Sequence, residues 1–396
     1  MKKTDDLPQK PDTLVTTIGR DPPSHFNTVN PPIHRASTVT FPTVADLEAV
    51  GKAPFDIFSY GRQGTPTTFH LEEAMAKLDG GYRGIVCSSG VSAIAVALTA
   101  FVQQGDHVLM VDSTYDPTRR YCDQLLARFG VETTYYDPLI GAGIAELIRP
   151  NTKVVFVESP GSITFEVQDI PAIAEAAHKA GAVVLMDNSW ATPLLFRALD
   201  HGVDVAIYSG TKYLVGHADA MIGVIVTTQE SFLKVRRSRQ LFGPCAGPDD
   251  CYLTLRGLRT LAVRLERHQK TGMMLAEWLQ KRPEVAKLLH PAFPSCPGHD
   301  AWKRDFKGAS GLFSIILKPT PKPAVAAMLD GMRLFAMGYS WGGYESLILP
   351  INPASFRTAA PWKAEGPLLR LHAGLEDPSD LIADLEEGFK RLASAS

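Results

Sequence analysis

Between residues 84 and 227 the chain carries six short, almost unbroken apolar runs. They are "GIVCSS" (84–89), "HVLMVD" (107–112), "KVVFVES" (153–159), "AVVLMDN" (182–188), "VDVAIYS" (203–209) and "IGVIVT" (222–227). A strand with one wet face alternates apolar and polar residues, so runs without alternation demand burial on both faces. Most of them are separated by amphipathic stretches such as "DIPAIAEAAHKAG" (169–181), which opens on Asp-x-Pro and closes on Gly. Those are the start and stop signals of a helix. Strands alternating with helices point to a mostly parallel sheet covered on both sides. We therefore expect an α/β fold, a mostly parallel seven-stranded-type sheet sandwiched by helices.

The flanks read differently. Residues 1–62 are rich in Pro, Thr and Asn and weakly periodic, which reads as an extended arm contacting a neighbouring subunit. A large domain follows over 63–256. The Gly/Pro break "FGPCAGPDD" (242–250) precedes a stretch, 255–280, with Leu258, Leu261, Leu265, Leu275 and Leu279 at helical spacing. It reads as one long helix leading into a smaller C-terminal α+β domain, 257–396. That domain holds the strand candidates "GLFSIIL", "ESLILP" and "LLRLHAG" and a final helix, "DLIADLEEGFKRLAS".

Composition narrows the partners. With 40 basic and 42 acidic residues, no polyanionic partner is implied, and "KVRRSRQ" (234–240) reads as a solvated helix face rather than a nucleic-acid patch. The apolar run "AIAVALTAFV" (93–102) falls well short of the ~20 residues a membrane span requires. The polar N-terminus precedes no apolar segment of the signal-peptide kind. Five cysteines without tight pairing fit a reducing compartment, and the expected location is cytoplasmic. Cys245, Cys251, Cys296 and His299 have zinc-ligand chemistry, but no C-x-x-C pair exists, so no metal is expected.

In an open parallel sheet, ligands bind outside the carboxyl ends of the strands. After "GIVC" comes "SSGVSA", where the N–H groups of Gly90 and Val91 at a helix start can cup a phosphate. The same Ser-Ser-Gly is also an ordinary turn and cap. Tyr115 follows the second run, Asp187 and Asn188 close the fourth, and Ser209 closes the fifth, with Thr211 and Lys212 just after it. A dinucleotide would require G-x-G-x-x-G, which "SSGVSA" does not supply. Pyridoxal phosphate requires what is here: a lysine to carry it as a Schiff base, and a carboxylate to pair with its pyridinium nitrogen. A phosphate cup and a stacking ring complete the set. Asp187 could be only a strand-end cap and Lys212 only a surface residue; their joint presence at successive strand ends is the specific signal.

Beyond these single residues, "MDNSWATPLLFRALDHGVDV", "SGTKYLVGHADAMIG" and "RGLRTLAVRLERHQ" resemble the Cys/Met-metabolism branch of fold-type I pyridoxal phosphate enzymes. The resemblance runs from about residue 12 to the C-terminus. "ESPGSITFEVQDIPAI", "GYSWGGYESLILP" and "LLRLHAGLEDPSDLIADLEEGF" resemble its bacterial cystathionine β-lyase group. The resemblance implies that Lys212 is the Schiff-base lysine, Asp187 the partner of the ring nitrogen and Tyr115 the stacking ring. Gly90, Val91, Ser209 and Thr211 would hold the phosphate. Tyr60 and Arg62 would reach the same phosphate from a neighbouring subunit, in a homotetramer built of dimers with shared sites. Arg370 would bind the substrate α-carboxylate, with Ser340 assisting through its backbone.

The same resemblance implies β-elimination of L-cystathionine to L-homocysteine, pyruvate and ammonia, a step toward methionine, with cysteine or cystine as further substrates. Cystathionine γ-lyase, cystathionine γ-synthase and methionine γ-lyase share the cofactor residues and are the rivals. Their stretch resembling "ESLGG" contrasts with "YSWGG" (339–343) here. In this chain Tyr339 and Trp341 are expected to form an apolar wall that favours β cleavage.

Overall fold

The computed structural model describes residues 9–52, 55, 57–364 and 366–395. Two sheets organise it. The larger has seven strands: β1 (Arg83–Cys87), β2 (His107–Val111), β3 (Glu132–Tyr136), β4 (Thr152–Glu158), β5 (Val183–Asp187), β6 (Val205–Ser209) and β7 (Gly223–Thr227), in the order β1-β7-β6-β5-β4-β2-β3. Successive side chains of one strand feed opposite cores. Val86, Leu109, Val155, Val184 and Ala206 enter one cluster, and Ile85, Val108, Val154, Leu185 and Val205 enter the other. Burial on both faces explains the unbroken apolar runs.

Two departures from the expected sheet have plain causes. β3, with the sequence "ETTYY", pairs only with β2 and is largely half-buried at the sheet edge, so it carries no apolar run to betray it. β7 runs antiparallel to both β1 and β6. A parallel return needs a crossover of a dozen or more residues, usually a helix. Here the connection 210–222 forms turns at 210–215 and no helix, unlike the helix-like stretch that follows Lys212 in the sequence reading, and the chain returns antiparallel.

The stretch 255–280 is two helices, Pro248–Leu258 and Leu261–Gln280, parted at Arg259 and Thr260. The N-terminal segment is not wholly extended: helix Pro11–Thr17 buries Val15 against its own chain. Arg259 fastens it, donating to the carbonyls of Val15 (3.0 Å) and Ile18 (2.6 Å).

The second sheet is antiparallel and comprises β8 (Val285–Leu289), β9 (Leu312–Leu317), β10 (Leu347–Ile351) and β11 (Leu368–His372), in the order β10-β11-β9-β8. One of its faces, with Leu312, Ile316 and Leu368, joins the core of the large sheet. The other packs under helices Lys322–Asp330 and Pro378–Ser394. No helix of the described residues is long and apolar enough to cross a membrane.

Candidate active site

A cleft of about 1030 Å³ opens at the carboxyl ends of β1, β2, β4, β5 and β6 and is roofed by the segment 339–341 and by β10–β11 residues. Its lining gathers Gly90, Val91, Tyr115, Asp187, Ser209, Thr211, Lys212, Tyr339, Ser340, Trp341 and Arg370, the expected site residues apart from Tyr60 and Arg62. Those two lie elsewhere on their own chain. Tyr60 is 46 % exposed, and Arg62 is exposed and donates to the carbonyl of Gln240 at 3.1 Å.

The anion cup is built by the helix Gly90–Thr99. Ser89 and Ser92 close a reciprocal capping box at 3.1 and 3.0 Å. The ordinary cap reading of Ser-Ser-Gly is therefore true as well. The first-turn N–H groups of Gly90 and Val91 have no carbonyl a turn earlier to bond, and they stay available to an anion. A Cβ on Gly90 would lie 2.8 Å from Cβ of Ser209, so glycine is what lets the helix start approach β6. Thr211 holds the return strand: its Oγ1 accepts from the N–H of Ile222 at 3.0 Å.

Across the cup stand two half-buried carboxyls in register, Glu158 at the end of β4 and Asp187 at the end of β5. Burial pushes both pKa values up, and for Glu158 the neighbouring Asp187 adds to the rise. Asp187 accepts from the N–H of Ser189 at 3.0 Å, and the Ser189 hydroxyl accepts from the N–H of Ser209 at 2.7 Å. Glu158 accepts from the N–H of Tyr115 (2.7 Å) and the hydroxyl of Thr114 (3.2 Å). It thereby ties the tyrosine turn to β4. The sequence reading missed Glu158 and Ser189, although Glu158 ends an apolar run just as Asp187 does. The strand-end rule would have found it.

Lys212 faces this pair. Burial and the Arg370 guanidinium lower its pKa to about 8, against an opposing pull from Asp187. Its Nζ donates to Oγ of Ser340 at 2.6 Å and lies 5.3 Å from the centre of the Trp341 ring. Arg370, lowered to about 10 chiefly by burial, donates to the carbonyl of Ser340 at 3.1 Å. Trp341 is partly buried and packed on the core, whereas Tyr339 is 92 % exposed. The wall beside Lys212 is thus Trp341 alone, with Tyr339 at the rim.

The donor set fits pyridoxal phosphate. Neither Glu158 nor Asp187 has an ion pair among the described residues, and paired carboxyls of raised pKa favour a cationic partner, which a protonated ring nitrogen is. The Lys212 amine and the helix N-terminus at Gly90 would supply the other two attachments. Comparison with known proteins decides the matter: the model of the family "Cys/Met metabolism PLP-dependent enzyme" matches residues 12–390. The chain belongs to this family.

Among other Cys/Met-metabolism enzymes it is similar to cystathionine β-lyase MetC of Escherichia coli, 47 % identical over 97 % of this chain and 99 % of that one. It is also similar to an L-alanine/L-glutamate racemase of Wolbachia pipientis, 41 % identical over 97 % and 98 %. A solved relative is cystathionine γ-synthase of Xanthomonas oryzae pv. oryzae in complex with aminoacrylate and cysteine. It superposes with a TM-score of 0.90 at 32 % identity, covering 98 % of this chain and 100 % of that one. The family's cofactor is pyridoxal 5′-phosphate.

Proposed function

We propose that the protein is a carbon–sulfur lyase that converts L-cystathionine to L-homocysteine, pyruvate and ammonia. The observation that carries this reading is the Lys212 amine, lowered to about 8, held by Ser340 and facing the Asp187 carboxyl. An amine whose pKa is brought down toward neutrality can both take and return a proton. Bound at Lys212, the cofactor supplies the electron sink for negative charge developing at Cα. Asp187 keeps the ring nitrogen protonated, and Glu158 holds Tyr115 in place by its N–H. Gly90, Val91, Ser209 and Thr211 hold the phosphate. Arg370 binds the substrate α-carboxylate through the guanidinium edge not engaged with Ser340.

Once the substrate's α-amine takes its place on the cofactor, the freed Lys212 Nζ would remove the Cα proton; the protonated Lys212 or the Tyr115 phenol would then protonate the departing sulfur, and water would release pyruvate and ammonia from the remaining three-carbon fragment. Trp341 packs the substrate's thioether chain. Its place beside Lys212, with the near-full-length similarity to the Escherichia coli lyase, favours β over γ cleavage. Tyr60 and Arg62 complete the site of a neighbouring subunit, which supports a dimer as the minimal active unit and a tetramer of such dimers as its assembly. Five free thiols support a reducing, cytoplasmic setting.

Incubating the purified, cofactor-loaded protein with L-cystathionine and identifying the keto acid tests the reading. Pyruvate with homocysteine is expected. Predominant 2-oxobutyrate with cysteine would assign γ cleavage. Conversion of L-alanine to D-alanine without attack on cystathionine would place the chain with its racemase relative.

A further inference from the structure

The roof over Lys212 rests on a single strand and its continuation. Residues 340–346 follow 370–376 along their whole length. Arg370 donates to the carbonyl of Ser340 (3.1 Å), and the N–H of Leu375 donates to the carbonyl of Tyr344 (2.8 Å). Glu376 accepts from the N–H of Ser346 (2.8 Å). Between these points lies His372, on β11 and two residues after Arg370, so both side chains leave the same face of the strand. Its Nε2 is 3.1 Å from the N of Gly342 and 3.2 Å from the O of Gly343. The imidazole is fully enclosed, and the rings of Tyr213 and His268 stand 5.9 and 5.2 Å from it.

The roof segment needs such a support. Ser340 has φ +81°, uncommon for a residue with a side chain. Gly342 has φ +88°, and a Cβ there would lie 2.8 Å from the N of Tyr213 and 2.9 Å from the C of Lys212. The turn thus lies directly on the Lys212–Tyr213 peptide. Strained conformations persist where the surroundings over-determine them. Arg370 holds the peptide before Trp341, and His372 holds the one after it.

We infer that His372 is a positioning residue: by accepting from the Gly342 N–H on the strand face it shares with Arg370, it fixes Ser340 and Trp341 against Lys212. The imidazole is neutral, because burial and then His268 lower its pKa to about 3, so Nε2 makes one of its two backbone contacts at a time; we assign the tautomer protonated at Nδ1, in which the Nε2 lone pair accepts from the Gly342 N–H and the Nδ1–H has no partner among the described residues. This inference rests on the assignment of the 339–343 turn to the substrate side of the site, and it adds a residue to that assignment.

Amide hydrogen exchange in the wild-type holoenzyme, resolved to single residues, tests it without substrate. Gly342 should be strongly protected although it sits in a turn; rapid exchange there overturns the proposal, whatever the variants do. His372→Leu, which keeps bulk but removes the acceptor, should speed exchange across 338–346 and lower kcat on L-cystathionine roughly 10- to 100-fold, the scale of a misplacement of about 1 Å. KM should change less than kcat, because Arg370 stays. His372→Gln, whose amide oxygen can accept the same N–H, should restore most of both. Equal exchange and kcat in the Leu variant and wild type would refute the clamp. A wild-type protein inactive on cystathionine but protected at Gly342 would refute the lyase reading and leave the clamp standing.

Discussion

In the proposed reaction Lys212 both anchors the cofactor and moves a proton, and its surroundings suit both roles. Enclosure and Arg370 strip stability from the charged form, while Ser340 gives the amine a fixed direction. Lys212→Ala should therefore fold yet lose turnover altogether, since no second group replaces both roles. Borohydride reduction of the holoenzyme followed by peptide mapping should label residue 212; a label on another lysine would refute the assignment. Because the proton-accepting form is the neutral amine, kcat should rise with pH up to about 8 and then level off. A profile flat from pH 6 to 9 would show that a different base works. Asp187→Asn should retain part of the cofactor but slow Cα–H exchange by roughly a hundredfold or more, because a neutral amide cannot keep the ring nitrogen protonated. Undiminished exchange would give the nitrogen another partner.

Among the elements, the connection from β10 to β11 depends on a buried carboxylate at the end of β2. Asp112 accepts from Arg119 (2.5 Å) and Arg357 (3.2 Å) and from the N–H groups of Thr358, Ala359 and Ala360. Arg357 continues to Glu166 at 3.0 Å. This latch draws Phe356 and Thr358 into the cleft wall. Burial alone would raise the Asp112 pKa; the three backbone N–H groups and Arg119 hold it below the usual carboxylate range. Its folded value being depressed, its contribution is complete above about pH 4 and is lost as the pH falls through the folded value. Asp112→Asn should cost about 3 kcal/mol at neutral pH, since two buried guanidiniums lose their shared anion. The cost should shrink in acid. Denaturant melts at pH 7 and pH 3.5 check this, and an equal cost at both would disprove the latch.

At the scale of the whole molecule, the proposed sharing of Tyr60 and Arg62 between subunits can be tested by mixing. The two residues sit outside their own chain's cleft, on a surface where Leu241 is 89 % exposed. If each subunit lends this pair to its neighbour, a Tyr60/Arg62 double variant and Lys212→Ala should each be inactive alone. Co-refolded in equal amounts, they should regain about a quarter of wild-type activity, because half of the dimers are hybrids with one of two sites intact. Mixed oligomers that form but stay inactive would place the pair in its own subunit.

How much of this was legible beforehand follows from what each feature depends on. Unbroken apolar runs follow from burial on both faces, a property each strand carries in its own residues, so six of the seven large-sheet strands could be read directly. The strand-end rule then placed Asp187 and Lys212 at one rim, and the whole-chain resemblance supplied the family. β3 escaped because an edge strand need not be apolar, and β8 because "VAKLL" (285–289) alternates too briefly to stand out. The direction of β7 depends on how residues 210–222 turn, not on their hydropathy. Glu158 could have been nominated, since it ends its strand as Asp187 does, but its pairing with Asp187 is a matter of strand order. Likewise the seat of Ser340 and Gly342 on the Lys212 peptide joins residues more than a hundred positions apart, and the hold of His372 on Gly342 spans 30. Local sequence encodes which side chains are buried and which backbone can turn; contacts between distant segments are decided by how the two sheets pack, and that only the tertiary structure settles.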